Sequence, residues 1–168
     1  VSRSGYSDDC DGWALIRWRG AVASAIRGKR GQSALREIVE ALDALPNKRL
    51  ASDSLVNADG EYCTLGALGR ARGLDMGPID PEDREAVAAN FGISEALAAE
   101  IMYENDQGCW VDDWLWLDVE ICGPVRPYYP EWGKHTKQIR VPNERAAEQR
   151  WHRMRQWALS NLATPTKD

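Results

Sequence analysis

Apolar positions change their spacing several times along the chain, and each change marks an expected element. From Gly12 to Arg27, Leu15, Trp18, Val22, Ala25 and Ile26 recur at helical spacing, with Arg17, Ser24 and Arg27 on the opposite side. Asp11 is placed to cap this helix. The GKRG run at 28–31 reads as a two-glycine turn. It resembles half of a phosphate loop, but the complete G-x-x-x-x-G-K-[ST] pattern is absent. A second helix is expected over ALREIVEALDAL, capped by Ser33, with Leu35, Ile38, Val39 and Leu42 as its buried stripe. Leu45-Pro46-Asn47 ends it, and the short connection predicts that the first two helices pack antiparallel.

The next stretch alternates weakly. Ser54-Leu55-Val56 and Glu61-Tyr62-Cys63 flank the turn Asn57-Ala58-Asp59-Gly60, which predicts a very short hairpin or an irregular bridge. A short helix, TLGALGRAR, follows and stops at Gly73; Gly66 and Gly69 leave one of its faces bare, so that another helix can come close. Asp80-Pro81-Glu82-Asp83 reads as a helix start, with the helix running to Phe91 and stopping at Gly92. Ser94 caps a further helix through Leu97, Ile101 and Met102 to Glu104, closed by Asn105-Asp106-Gln107-Gly108. Its acids, Glu95, Glu100 and Glu104, would repel phosphate, which argues against a DNA-reading helix-turn-helix.

Between 107 and 141 the period changes to two. Trp114, Trp116 and Asp118 alternate with Leu115, Leu117 and Val119, which predicts a strand; Pro124, Pro127, Pro130 and Pro142 forbid a long helix, and a return strand is expected at Gln138–Val141. The chain closes with ERAAEQRWHRMRQWALSNL, an amphipathic helix with Ala147, Trp151, Met154 and Ala158 toward the core, and a tail at 163–168 expected to fray. The expected fold is therefore mainly α: one domain, a bundle of five or six helices, with a small β or irregular insertion near 109–141.

Composition adds a few constraints. A length of 168 residues fits one domain, and 43% hydrophobic residues suffice for a core. The mean hydropathy of −0.51 predicts a soluble chain. No apolar run approaches the roughly 20 residues that span a bilayer, and the first residues lack the apolar centre of a secretory signal. Four scattered cysteines (Cys10, Cys63, Cys109, Cys122) without a C-x-x-C pair then predict reduced thiols in a cytosol; a Cys109–Cys122 disulfide would need a hairpin to join them. Eight tryptophans stand against one phenylalanine, and Trp110, Trp114 and Trp116 fall within seven residues, a clustering that suits a partly exposed patch or a satellite core.

Charge is segregated. Residues 1–73 carry net +2, residues 74–120 net −12 and residues 121–168 net +5. Within 12–36 lie Arg17, Arg19, Arg27, Lys29, Arg30 and Arg36 and no acid. Either the acidic middle and its basic flanks neutralise each other, or the acids face solvent and steer toward a basic partner.

Chemical signatures are weak. A nucleophilic Cys63 needs a base, and only His135 and His152 exist, neither in a Cys–His context; a packed structural thiol is the reading here. Asp8-Asp9-Cys10-Asp11 does not meet calcium-loop spacing, and a catalytic Asp106 has nothing to pair with. No catalytic set, metal site or cofactor is expected.

The order of several stretches is more specific. SRSGYSDDCDGWALIRWRGAVASAIRGKRGQ, then E-x-C-x-L-G-A-L-G-R-A-R-G-L-D, then AANFGISEALAAEIMYEND, then RWHRMRQWA resembles a family of uncharacterised small proteins from bacteriophages and prophages. The likeness covers roughly residues 2–108 and 144–160, and 109–141 departs from it, in keeping with an insertion. A looser likeness joins the YCTLGAL helix and the Asn-Asp helix end to a wider group of small helical proteins. The resemblance implies a phage context and a helical fold, and no activity. The expectation is a non-enzymatic phage accessory protein that binds a host or phage protein through an acidic, Trp-rich surface of Trp110, Asp112, Asp113, Trp114, Trp116 and Asp118. The alternatives are a nucleic-acid-associated protein using Arg17, Arg27, Lys29 and Arg30, and an enzyme with Cys63 or Asp106 in its site.

Overall fold

The computed structural model describes residues 12–106, 113–124 and 134–163, without the side chains of 121–124 and 134–135. Its element order is α1 (Gly12–Arg27), α2 (Lys29–Ala44), α3 (Thr64–Arg72), α4 (Arg84–Phe91), α5 (Glu95–Asp106), β1 (Trp114–Pro124), β2 (Lys134–Pro142) and α6 (Ala146–Ser160). The described chain is mainly α, with one two-stranded antiparallel sheet. It divides into two compact units, one within 1–110 and 147–168, the other within 111–146. No described helix is long and apolar enough to cross a membrane.

The helical unit holds a continuous core from α2 through α6. Leu35, Ile38 and Leu42 of α2, Leu65 and Leu68 of α3, Val87 and Phe91 of α4, Leu97 and Ile101 of α5, and Met154 of α6 are its most buried members. In α2, α5 and α6 these fall on the stripes that the helical periodicity marks. Helix α1 differs. Ala14 and Val22 are buried, but Leu15, expected toward the core, is 41% exposed, and Trp13 and Ile16 are 72% and 58% exposed.

Three boundaries differ from the sequence reading. Only Gly28 separates α1 from α2, because Lys29, Arg30 and Gly31 already form the first turn of α2. Ser33 is therefore not a cap; it lies inside the helix and donates to Glu37 Oε1 at 3.1 Å. The second glycine has a packing role: a Cβ on Gly31 would collide with the carbonyl oxygen of Ala25. Asp80 and Pro81 form a turn, in which Asp80 Oδ1 accepts from the Glu82 N–H, and the cap of α4 is Asp83, which accepts from the Ala86 N–H at 2.9 Å. Asn105 and Asp106 do not close α5 as a turn but belong to the helix.

Other features agree. Gly73 stops α3 with φ 68°. Ser94 Oγ accepts from the Leu97 N–H. Val56 and Tyr62 form an isolated antiparallel bridge across a turn organised by Asn57, whose Oδ1 accepts from the N–H groups of Asp59 and Glu61. Of the tail expected to fray, only Ala163 is described, and its N–H donates to Gln32 Oε1.

The ends of the elements are joined by buried polar groups. The last carbonyls of α5 have no partner inside their own helix. Arg150 Nε donates to the Asn105 carbonyl at 3.1 Å, and Arg153 Nη2 donates to the carbonyls of Glu104 and Asn105 at 2.7 and 2.8 Å. Two cations thus sit at the negative end of the α5 dipole. Arg150, 3% exposed, also donates to the Leu50 carbonyl at 2.7 Å. Asn105, 2% exposed, accepts through Oδ1 from the Thr64 N–H and hydroxyl and donates through Nδ2 to the Ala51 carbonyl and Asp106. One asparagine and one arginine therefore fix the 50–51 segment, the start of α3, the end of α5 and α6 together. Trp151 Nε1 adds a bond to the Leu42 carbonyl, and Gln32 Nε2 bonds the Ile26 and Asn161 carbonyls.

Replacing Asn105 by Ala leaves the Thr64 and Ala51 groups without their partner. A loss of at least about 3 kcal/mol is expected in urea unfolding, since each orphaned buried group costs about 1–3 kcal/mol. Thr64→Val, which keeps the backbone bond, should cost less than half of that.

Candidate functional site

Three places in the described residues could carry function: the pocket beside Cys63, the basic α1–α2 segment and the hairpin. Each is built by different local physics.

Cys63 caps α3. Its extended backbone lets Sγ accept from the Gly66 N–H at 3.3 Å, a role more often filled by a hydroxyl. Gly66 is bare so that α3 can approach the Leu55 carbonyl, with which a Cβ would collide; the closest neighbour of that face is therefore a loop backbone rather than the expected helix. Gly69 instead faces Met76 and Phe91. The thiol is 7% exposed, and burial pushes its pKa up to about 12. It is a neutral thiol at physiological pH, and its geometry is that of a helix cap.

A small cavity of about 60 Å³ lies beside it, bordered by Leu55, Leu65, Ile101 and Asn105 together with the acids Asp53, Glu82 and Asp106. No histidine or lysine lines it. Burial raises the pKa of the Asp106 carboxyl above its ordinary 3.8. Its Oδ1 accepts from Asn105 Nδ2 and from the Asp53 N–H. Asp53 holds φ at 56°, a left-handed conformation that Asp tolerates better than most residues. Cys63 and Asp106, offered separately by the sequence, thus border one cavity, without a general base between them.

The acids of 74–120 resolve in part. Among the described residues, Asp75, Asp80, Glu82, Asp83, Glu85, Glu95 and Asp118 are exposed and have no ion-pair partner. Three ion pairs within the helical unit join acids outside that stretch to arginines: Glu37 to Arg72, Asp43 to Arg155 and Glu61 to Arg49, at 2.6–2.8 Å. These arginines hold the three carboxyls below their ordinary pKa values, chiefly through hydrogen bonds.

In the basic segment, Arg17, Arg19, Arg27, Lys29, Arg30 and Arg36 are all exposed and none has an ion-pair partner among the described residues. Arg27 Nε donates to the Ala23 carbonyl.

The hairpin pairs Trp114 with Pro142, Trp116 with Arg140, Leu117 with Ile139 and Val119 with Lys137, with register irregularities beyond Glu120. Opposed residues share a face. One face therefore carries Leu115, Leu117, Val119, Ile139 and Val141, and the other Trp114, Trp116, Asp118, Gln138 and Arg140. The return strand is longer than the expected Gln138–Val141 and begins at Lys134. Trp114, Leu115, Trp116 and Leu117 are each between 42% and 63% exposed. The Arg140 guanidinium lies 4.6 Å from the centre of the Trp114 ring, a cation–π contact across the strands. Asp113 and Asp118 are exposed on the same unit, whereas Trp110 and Asp112 lie outside the described residues. The same holds for Cys10, Cys109, the side chains of Cys122 and His135, and the Asp8–Asp11 run.

Sequence reasoning missed Asn105 and Arg150 as buried polar partners, and Trp13 and Ile16 as exposed apolar groups. For Arg150 a signal existed: it is three residues after Ala147 and four before Met154, so it shares their stripe. Compared with family models, curated proteins and solved structures, the chain matches none.

Two measurements check this chemistry. In a variant with Cys10, Cys109 and Cys122 replaced by serine, native Cys63 should react with a thiol reagent at least about a hundredfold more slowly than in denaturant. For Asp106 the raised folded-state pKa means that ionisation opposes folding: the cost is absent below the ordinary value and present above the raised one. Asp106→Asn keeps the Oδ1 acceptor, so its stability relative to wild type should rise between about pH 3.5 and about pH 7 in urea titrations.

Proposed function

We propose that the chain is a binding protein that docks on another protein through its hairpin. The observation that carries this reading is exposure on both hairpin faces: Leu115 and Leu117 on one, Trp114 and Trp116 on the other. A two-stranded ribbon is marginal alone in water, and apolar faces on such a ribbon gain most from a covering partner. Tryptophans and an arginine are the residue types that anchor protein interfaces. Exposed acids such as Asp75, Asp80, Glu82 and Glu85 add a negative field, which favours encounter with a basic protein. The resemblance to phage and prophage proteins would place that partner in a bacterial cytoplasm, as a host or phage protein.

A second reading, association with nucleic acid through Arg17, Arg27, Lys29 and Arg30, draws support from the six unpaired cations of 17–36. The enzyme reading has less support, because the Cys63 thiol is buried and neutral.

The test is capture from bacterial lysate with wild type and with the Trp116→Ala/Leu117→Ser variant. The expected result is a defined set of proteins held by wild type and lost by the variant, with thermal unfolding of the helical unit unchanged within about 0.5 kcal/mol. Equal retention on both, or a nuclease-sensitive set alone, contradicts the reading.

A further inference from the structure

We propose that a groove along α1 is a second docking site, shaped for an acidic amphipathic helix of a partner protein. The groove holds about 410 Å³ and runs between α1 and the α5 and α6 residues Glu100 and Ser160. Its floor is apolar: Leu15, Trp18, Val22 and Ile26. The indole nitrogen of Trp18 is buried and has no hydrogen-bond partner among the described residues. Arg19 and Arg27 line the groove, exposed and without ion pairs among the described residues. Eight residues apart on one helix, they stand about 12 Å apart along its axis.

Charge complementarity selects the occupant. An apolar floor lined by two unpaired arginines fits a ligand with an apolar stripe and carboxylates about two turns apart. A helix with apolar residues at i, i+3, i+4 and i+7 and glutamates beside them has that layout. A flat bilayer fits a walled groove poorly. A nucleic acid would engage the two arginines through its phosphates and leave the apolar floor of Leu15, Val22 and Ile26 uncovered. The site uses different residues from the hairpin and stands or falls separately.

The experiment is fluorescence anisotropy of the full chain with a labelled synthetic helical peptide of about four turns, carrying that leucine stripe flanked by glutamates. Saturable binding should weaken at least about tenfold in Arg19→Glu/Arg27→Glu and weaken in high salt. Ala23→Trp, which fills the groove from an accessible position, should weaken it by a similar factor, with an unchanged melting curve in both variants. Equal binding of the lysine-for-glutamate peptide overturns the proposal. So does full-strength binding to Ala23→Trp, or binding of phosphatidylglycerol vesicles or a DNA duplex in place of the peptide. A salt-sensitive dimer in ultracentrifugation, lost in the double charge reversal, would identify a second copy as the occupant and also overturn it.

Discussion

The carbonyl groups at the end of α5 impose the constraint on which the helical unit depends. A helix that ends inside a protein leaves acceptors that water cannot reach, and something must meet them. Here Arg150 and Arg153 come from α6, far along the sequence, and donate to Glu104 and Asn105. Asn105 then uses its own side chain to hold Thr64 at the start of α3 and Ala51 in the loop. A buried arginine is costly to desolvate, and this one is tolerated because its bonds go to carbonyls at the negative end of a helix dipole. The apolar core supplies most of the stabilisation, while the directional bonds determine which helix ends meet.

This arrangement also explains why a cysteine caps α3. The Thr64 side chain, the usual type of capping group one residue earlier, is committed to Asn105. Cys63 fits where a carboxylate or amide would have to be desolvated, and its sulfur accepts from Gly66. Gly66 and Cys63 form one solution to a close approach: the bare helix face admits the Leu55 carbonyl, and the Cys63 N–H donates to that same oxygen at 3.1 Å. A thiol so placed serves packing, which moves attention to the surfaces as carriers of function.

Much of the fold was legible, and the reasons it was not elsewhere are specific. The α2 stripe and the glycine stop of α3 follow from period and backbone conformation, which a sequence states directly. The α1–α2 corner did not, because GKRG looks like a turn until Gly31 is seen to be small for the sake of the Ala25 carbonyl. Asn105 was read as a turn former because its local chemistry favours turns; a partner 41 residues away, Thr64, overrode that preference. The hairpin alternation gave the exposed tryptophans and the strand, but not the length of the return strand, which is set by cross-strand pairing. On α1 the apolar residues outnumber what one face can bury, and periodicity alone does not say that Trp13 and Ile16 are left outside.

The account rests on a contrast: a helical unit locked by buried polar bonds, and a hairpin that exposes Trp114, Leu115, Trp116 and Leu117. Native-state hydrogen exchange on the whole chain measures it directly. The amides of Thr64, Cys63 and Leu50 should exchange only through global unfolding, and those of 114–120 and 136–141 through local opening at far lower free energy. Equal protection in both sets would mean that the hairpin faces are already packed, and the account would be contradicted.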